Sequence, residues 1–332
     1  IQPFFSKLFP EIPKNHPAFG HMTLNFAANL LGLDNAATPF GLKAMESLQT
    51  LNPDKDRASN AQIMFLCLHA SGLTLIPVSI IAIRASMNSE TPTDVFLPTM
   101  IATFCATMAA MMIVSFKQKI NLLQPTLLAF LGGISALIAA LVWFLVKLNK
   151  EELDNASKLI SNGMILLIFF AIILGAVYKK INVFDAFIDG AKEGFNICVK
   201  IIPYLVGMLI AISLLRTSGV FDVVIDGMKW FAQIANLDTR FVDGLPTALI
   251  KPLSGSGARG MMVDTMTVFG PDSFPARLSG ILQGSSDTTF YVIAVYFGAV
   301  GIKNTRYTVG AMLLADLVGI VVSILMAYLF FG

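Results

Sequence analysis

The sequence is poor in charged residues. Only 13% of its 332 residues are Asp, Glu, Lys or Arg, whereas a soluble domain usually has about 25%, and 55% are hydrophobic. Such a deficit is typical of a chain whose outer surface faces lipid. The net charge of +2 gives no argument for a nucleic-acid partner, and none is expected. We therefore predict an all-α polytopic membrane protein whose main surroundings are the lipid bilayer.

Residues that could support catalysis or metal binding are also scarce. The three cysteines lie in apolar runs without metal-like spacing, so we interpret them as buried residues and not as disulfide partners. No histidine follows His69, so Ser256 lacks a histidine base in its part of the chain, and Lys251 would have to bend back to serve it. No motif supports an aspartyl pair of Asp264 and Asp287, and no phosphate-binding, zinc or dinucleotide motif occurs. An enzyme, a bound metal and a bound cofactor are therefore not expected. The three histidines are scattered, and packing or interfacial roles are predicted for them.

Several apolar stretches have the roughly 20 residues that a membrane-spanning helix needs. Plain candidates are Val95–Phe116, Thr126–Val146, Asn162–Tyr178, Ile197–Leu215 and Val309–Phe331. Two more stretches, Ala61–Ile83 and Leu278–Val300, are long enough but have polar residues near their centres.

Two further segments are interrupted by polar or glycine-rich sequence. In the first, three asparagines lie close to Asp34 and Pro39, which predicts the end of one helix and a restart over Phe40–Gln49. In the second, the run Lys251–Gly260 is rich in glycine and serine, which predicts a break followed by a restart to Phe269. Non-helical backbone at membrane depth occurs only where it is buried in protein or lines a wet cavity.

The two interruptions occur in the same order in each half of the chain. Each is followed by a segment with a polar centre, Ser71–Pro77 in the first half and Gln283–Tyr291 in the second. This order is typical of transporters with internal repeats and discontinuous, re-entrant helices. The charged loop Lys147–Lys158 is predicted to separate the halves, residues 1–150 and residues 151–332.

Packing is the main alternative to a binding site. Small residues such as those of Ser254–Gly260 let helices approach closely, and asparagines cross-link helices. Asp287 fits packing less well, because a carboxylate at the centre of a span costs about 2.5–3.5 kcal/mol on insertion scales. Either a function or a charge partner, Lys251 or Arg259, would explain it.

Longer motifs resemble a known family. Residues 29–45, NLLGLDNAATPFGLKAM, resemble spore maturation protein A. Residues 251–258, KPLSGSGA, with GPDS at 270–273 and QGSSDTTFY at 283–291, resemble spore maturation protein B. The chain thus resembles a fusion of the two, and the resemblance implies a gate-type (nucleoside recognition) transport fold in the bacterial cytoplasmic membrane. It also implies further membrane segments before Ile1. The family more often has glutamate at the position of Asp287.

These observations together predict a membrane transporter for a small polar solute that is nucleoside-, amino-acid- or carboxylate-like. The alternative is a membrane scaffold or regulator of spore or envelope maturation, which does not transport. Asp287 could carry a proton or bind a coupling Na⁺, and a homo-oligomer is compatible with the sequence. The predicted solute-binding residues are Asn29, Asn35, Thr38, Ser71, Thr74, Ser254, Ser256, Ser286, Asp287 and Thr288.

Overall fold

The computed structural model describes residues 2–32 and 37–332, and these residues form α-helices and no strand. The helices are α1 (Gln2–Leu8), α2 (Ala18–Leu30), α3 (Thr38–Leu51), α4 (Asn60–Ala70), α5 (Val78–Ser86), α6 (Phe96–Gln118), α7 (Pro125–Val146), α8 (Lys150–Tyr178), α9 (Val183–Thr217), α10 (Val220–Ile234), α11 (Pro246–Ile250), α12 (Gly255–Phe269), α13 (Phe274–Gly284), α14 (Thr289–Ala299) and α15 (Thr308–Phe331). The prediction of an all-α protein is confirmed.

Four of these helices are long and apolar enough to cross a membrane. The spans are Phe96–Gln118, Pro125–Val146, Glu151–Tyr178 and Thr308–Phe331. The spans in α7 and α8 bury little of their surface in the protein, as expected of helices that face lipid, whereas α6 is mostly buried. The membrane class is therefore confirmed, and the predicted span Ile197–Leu215 lies inside the longer helix α9.

The two apolar stretches with polar centres are long enough to span a membrane but are not single helices. Ala61–Ile83 is divided into α4 and α5, and Leu278–Val300 into α13 and α14. In the first stretch Gly72 adopts a left-handed φ of +57°, which ends α4, and Pro77 directly precedes α5. In the second, four residues between Gly284 and Thr289 separate the helices. The two polar centres are therefore two further helix breaks.

The two interruptions that the sequence predicted are present, with different bounds. Helix α2 ends at Leu30, and α3 begins at Thr38 with Pro39 in its first turn. Helix α12 begins at Gly255, inside the glycine-rich run, because the Ser254 side chain accepts a hydrogen bond from Gly257 N and caps the new helix.

The predicted loop Lys147–Lys158 is also shorter than expected, because α8 already begins at Lys150. Asn149 and Glu152 form a reciprocal capping box, in which each side chain accepts a hydrogen bond from the other residue's N–H. Acidic side chains in the first turn of α8 favour the helix further. The boundary between residues 150 and 151 stays a prediction.

The helices α2–α6 and α11–α15 follow the same order of two divided helices and one long helix. Helix α6 packs against α15. The two sets interlock, since α13 packs against α5 and α6, and α14 packs against α3 and α4. That these sets are re-entrant internal repeats stays a prediction.

Candidate functional site

A cavity of about 500 Å³ lies where the four helix breaks meet. This volume lies within the range of small-molecule sites. Of the residues predicted from the sequence, the cavity is lined by Asn29, Thr38, Thr74, Lys251, Ser254, Ser256, Arg259, Ser286, Asp287 and Thr288. The structure thus brings together polar residues that are up to 259 positions apart in the chain (Asn29 to Thr288).

Backbone hydrogen bonds connect the helix breaks to one another. Helix ends leave N–H and C=O groups without partners inside the helix, and these groups need other partners when they are buried. Leu75 N donates to Leu30 O at 2.8 Å, which joins the α4–α5 break to the end of α2. Phe290 N donates to Pro252 O at 2.9 Å, which joins the start of α14 to the α11–α12 break in the same way.

A third backbone bond links the two halves. Asp287 N, in the α13–α14 break, donates to Ala70 O at the end of α4, at 2.7 Å. Gly72 lies beside this bond and is favoured by its left-handed φ of +57°, since a Cβ there would be in ordinary contact with Asp287 N, at 3.7 Å. The backbone that positions Asp287 therefore rests on the first half of the chain.

The acidic side of the cavity is formed by Asp287 and His69. His69 Nε2 lies 3.5 Å from Asp287 Oδ2, with the histidine side chain 3% exposed and the carboxylate 44% exposed. On its other edge, His69 Nδ1 lies 2.9 Å from both Asn25 Oδ1 and Asn29 Nδ2. Nδ1 donates to Asn25 when it carries a proton and accepts from Asn29 when it does not. This arrangement accommodates either ring tautomer without leaving Nδ1 unpaired.

Basic residues also line the cavity. Lys251 Nζ is buried and donates to Gln283 O at 2.7 Å, and Arg259 lies one turn into α12. The N-terminal end of α12, at Ser254 and Ser256, also faces the cavity and contributes the positive end of the helix dipole. The cavity therefore has an acidic side chain at Asp287 and basic side chains at Lys251 and Arg259. Asp287 contacts the ring of His69, whereas Lys251 Nζ donates to a backbone carbonyl.

Two predicted residues are not on the cavity wall that the structure describes. Ser71 is buried directly after the end of α4. Its hydroxyl lies at hydrogen-bonding distance from Leu68 O and from Thr107 Oγ1 on α6. Asn35 lies outside the described residues. Ser71 thus serves packing, as the alternative interpretation of such residues proposed.

Among the cavity residues that were not predicted from the sequence are His69, Gln283 and Tyr296. His69 was assigned a packing or interfacial role, but it contacts Asp287, and its position directly before the polar stretch Ser71–Pro77 was the available signal. Gln283 was part of the quoted polar motif, and its Oε1 is buried without a hydrogen-bond partner among the described residues. Tyr296 lies in the apolar helix α14, where no sequence signal distinguishes it.

Comparison with known proteins agrees with this architecture. A family model described as "Gate: Nucleoside recognition" matches residues 198–303, which include the α11–α12 and α13–α14 breaks. The fold and the match define an α-helical membrane protein with a nucleoside recognition (Gate) domain. No solved structure is significantly similar to the chain.

The curated relatives identify the family. The chain is 46% identical to spore maturation protein B of Bacillus subtilis (strain 168) over 173 residues, which are 52% of this chain and 96% of that protein. It is 47% identical to spore maturation protein A of the same organism over 112 residues, which are 34% of this chain and 57% of that protein. The chain belongs to the spore maturation protein A/B family, as the motifs predicted, and it spans little more than half the length of the A relative.

Proposed function

We propose that this protein moves a small polar solute across the bacterial cytoplasmic membrane through the cavity between its helix breaks. The observation that carries the proposal is the junction at Asp287, where the carboxylate faces His69 and the backbone bonds to Ala70. A solute bound there would contact both halves of the chain, so a relative movement of the halves would alter its surroundings. The Gate family match supports a transporter-like role.

The chemistry of the cavity suits a solute with both donor and acceptor groups. The amide of Asn29 and the hydroxyls of Thr38, Thr74 and Ser256 can each donate and accept hydrogen bonds. The basic side at Lys251 suits a carboxylate or another electronegative group, and the acidic side suits an amine or hydroxyl donor. Nucleoside-like, amino-acid-like and carboxylate-bearing solutes satisfy this description. The proposal assigns the protein no catalytic step.

A second function is favoured by the relatives' names. Spore maturation proteins A and B are named for a developmental role, which fits a membrane scaffold or regulator without transport. A scaffold would use the four breaks as packing surfaces, and its cavity would not need to open to both sides of the membrane. Transport requires that opening, so access to the cavity separates the two functions.

The test is the accessibility of a single cysteine in membrane vesicles. Ser256→Cys is introduced on the cavity wall after the native cysteines have been replaced, and Ser323→Cys is the matched control. Ser323 is fully buried in α15 and donates only to Gly319 O of its own helix. A membrane-impermeant thiol reagent is applied to right-side-out and to inverted vesicles.

Transport predicts that Ser256→Cys reacts from both sides and that Ser323→Cys reacts from neither. Nucleosides, amino acids and small dicarboxylates are then added singly, and one class should slow the reaction at Ser256→Cys. Labelling of Ser256→Cys from one side only, without protection by any of these solutes, would support the scaffold. Labelling of Ser323→Cys would show that the vesicles or the fold are damaged.

A further inference from the structure

A buried carboxylate that does not line the cavity lies next to the α13–α14 break. Asp316 is in the membrane-spanning helix α15, is 5% exposed and does not line the cavity. The hydroxyl of Thr289, the first residue of α14, donates a hydrogen bond to Asp316 Oδ2. The proposed solute site makes no use of this residue, and no sequence motif drew attention to it.

The surroundings of Asp316 are mainly neutral oxygen atoms. Ser286 supplies a second hydroxyl beside the carboxylate. Gly319 lies three residues further on α15, on the same face of the helix, and a Cβ there would be 3.4 Å from Ser285 O. The carbonyl of Ser285 at the end of α13 therefore faces α15 at Gly319, about one helical turn from Asp316. Unwound backbone carbonyls and hydroxyls of this kind coordinate Na⁺ in transporters with divided helices.

No ion pair within 4 Å joins Asp316 to a Lys, Arg or His among the residues that the structure describes. The titratable groups that act on it from neighbouring elements are Cys67 of α4, Lys251 after α11 and Asp287 in the break. Of these only Lys251 is a cation; its charge favours the ionised carboxylate from beyond ion-pair distance, and its Nζ donates to Gln283 O. A carboxylate in a span is costly without a compensating positive charge.

In the first half of the chain, the corresponding break packs against a long helix without a carboxylate. There the α4–α5 break rests on α6 through neutral hydroxyls: Thr74 N contacts Thr103 Oγ1 at 3.4 Å, and Ser71 donates to Thr107 Oγ1 at 3.1 Å. The α13–α14 break rests on α15 through Thr289 and Asp316. Hydroxyl groups are sufficient to hold the α4–α5 break against α6. Packing alone therefore does not explain the negative charge of Asp316 at the α13–α14 break.

We propose that Asp316 is the anionic ligand of a sodium ion, with the Thr289 and Ser286 hydroxyls and the Ser285 carbonyl as neutral ligands. One carboxylate among neutral oxygens suits a monovalent ion. In the described parts of the chain, no group of three or more His, Cys, Asp or Glu residues could hold a metal ion. The bound ion fixes the α13–α14 break against α15. Because Ser286 and Asp287 of the same break line the cavity, ion binding and solute binding are coupled; this coupling rests on the proposed transport function, whereas ion binding itself does not.

The test uses the purified full-length chain in detergent, without any solute. Its thermal midpoint is measured while NaCl replaces choline chloride or KCl at constant ionic strength. Sodium at about 100 times its dissociation constant should raise the midpoint by on the order of 5 °C. Asp316→Asn should abolish the shift. Asp189→Asn, which changes a carboxylate with a side chain 77% exposed on α9, should retain it.

Two variants of Thr289 keep the test decisive if Asp316→Asn does not fold. Thr289→Ser keeps the hydroxyl and should keep the sodium response, whereas Thr289→Val should weaken sodium binding about tenfold or more. The proposal is overturned if the wild type does not respond to sodium, if it responds only to pH, or if Asp316→Asn or Thr289→Val responds as the wild type does. Because no solute is present, these outcomes do not depend on whether the protein transports.

Discussion

Arg84 Nη2 lies 3.0 Å from Asp272 Oδ1, which joins the end of α5 to the loop after α12. The same guanidinium lies 2.9 Å from Asp94 Oδ1 and donates from Nη1 to Pro271 O at 2.8 Å. Arg277 adds a second contact across the halves, with Nε 2.8 Å from Asp94 Oδ2. The Arg84 side chain is fully buried, so this network is screened little by solvent and fixes the two halves together away from the cavity.

Removal of Arg84 should therefore destabilise the protein strongly. Arg84→Ala removes the buried cation of Asp94 and Asp272 and leaves them only the partly exposed Arg277, so the loss should approach the 3–5 kcal/mol, roughly, that breaking a buried pair costs. Arg84→Lys keeps the charge but cannot reproduce the several directed bonds of the guanidinium, so an intermediate loss is expected. The measurement is the thermal midpoint in detergent. Lys303→Ala is the control, because its pair with Asp56 is exposed and should add nothing measurable. A midpoint of Arg84→Ala equal to that of the wild type would contradict this account of the network.

The network also predicts how stability depends on pH. Burial by itself raises the pKa of Asp272, but hydrogen bonds from the Ser89 hydroxyl and Glu90 N–H lower it. The guanidinium groups of Arg84 and Arg277 lower it further, so the pKa of Asp272 lies below its ordinary value. A carboxyl group whose pKa is depressed in the folded state stabilises the protein above its unfolded pKa, about 3.9, and this stabilisation is lost as the pH falls through the folded pKa.

Asp272→Asn should accordingly lower the thermal midpoint at pH 7 and pH 5 by the same amount. The difference from the wild type should shrink as the pH falls below about 4, because the wild-type carboxyl then becomes neutral as well. The difference between the two curves is the quantity to compare, since other carboxyl groups titrate in both proteins. A difference that stays constant down to the lowest pH at which the protein folds would show that the charge of Asp272 is irrelevant.

The contact between the first two breaks depends on Gly32. This residue has φ +63°, and a Cβ there would lie 2.1 Å from Ile76 O. Gly32→Ala must therefore displace the α4–α5 break or strain the backbone, at a cost of about 1–3 kcal/mol or more. Gly133→Ala is the matched control in α7, where a Cβ has nothing within 4 Å, and it should be neutral or stabilising by up to about 1 kcal/mol. Equal thermal midpoints for the two variants would show that the contact is not tight.

Three of the four membrane helices could be predicted closely from the sequence, whereas the predicted span Asn162–Tyr178 begins twelve residues after the start of α8. The predicted spans Val95–Phe116 and Val309–Phe331 differ from α6 and α15 by at most two residues at either end. Uninterrupted apolar runs of span length leave little choice of structure, since backbone groups in lipid must be satisfied within the helix. The family was predictable for a different reason, because its motifs are long and specific and extend across the helix breaks.

The pairing of the breaks could not be predicted. Nothing in residues 61–83 shows that Ala70 O accepts from Asp287 N, because the bond joins segments more than 200 residues apart. His69 and Asp316 were missed because each lies in an apolar stretch and acquires its environment only through packing. The side of a helix that a polar residue faces depends on the tertiary structure, and so Ser71 was placed on the cavity although it contacts Thr107.

Asp287→Asn separates transport from a scaffold role most directly. Asparagine has nearly the same shape, and the backbone bond from residue 287 to Ala70 O does not need the carboxylate, so the variant should fold with a thermal midpoint close to that of the wild type. It loses the negative charge that faces His69 Nε2, and protection of Ser256→Cys by the effective solute should therefore weaken tenfold or more. His69→Gln should weaken protection less, because the carboxylate remains on the cavity wall. If Asp287→Asn still folds and protects as well as the wild type, this carboxylate does not bind the solute, and a role for the junction in packing alone is then the better explanation.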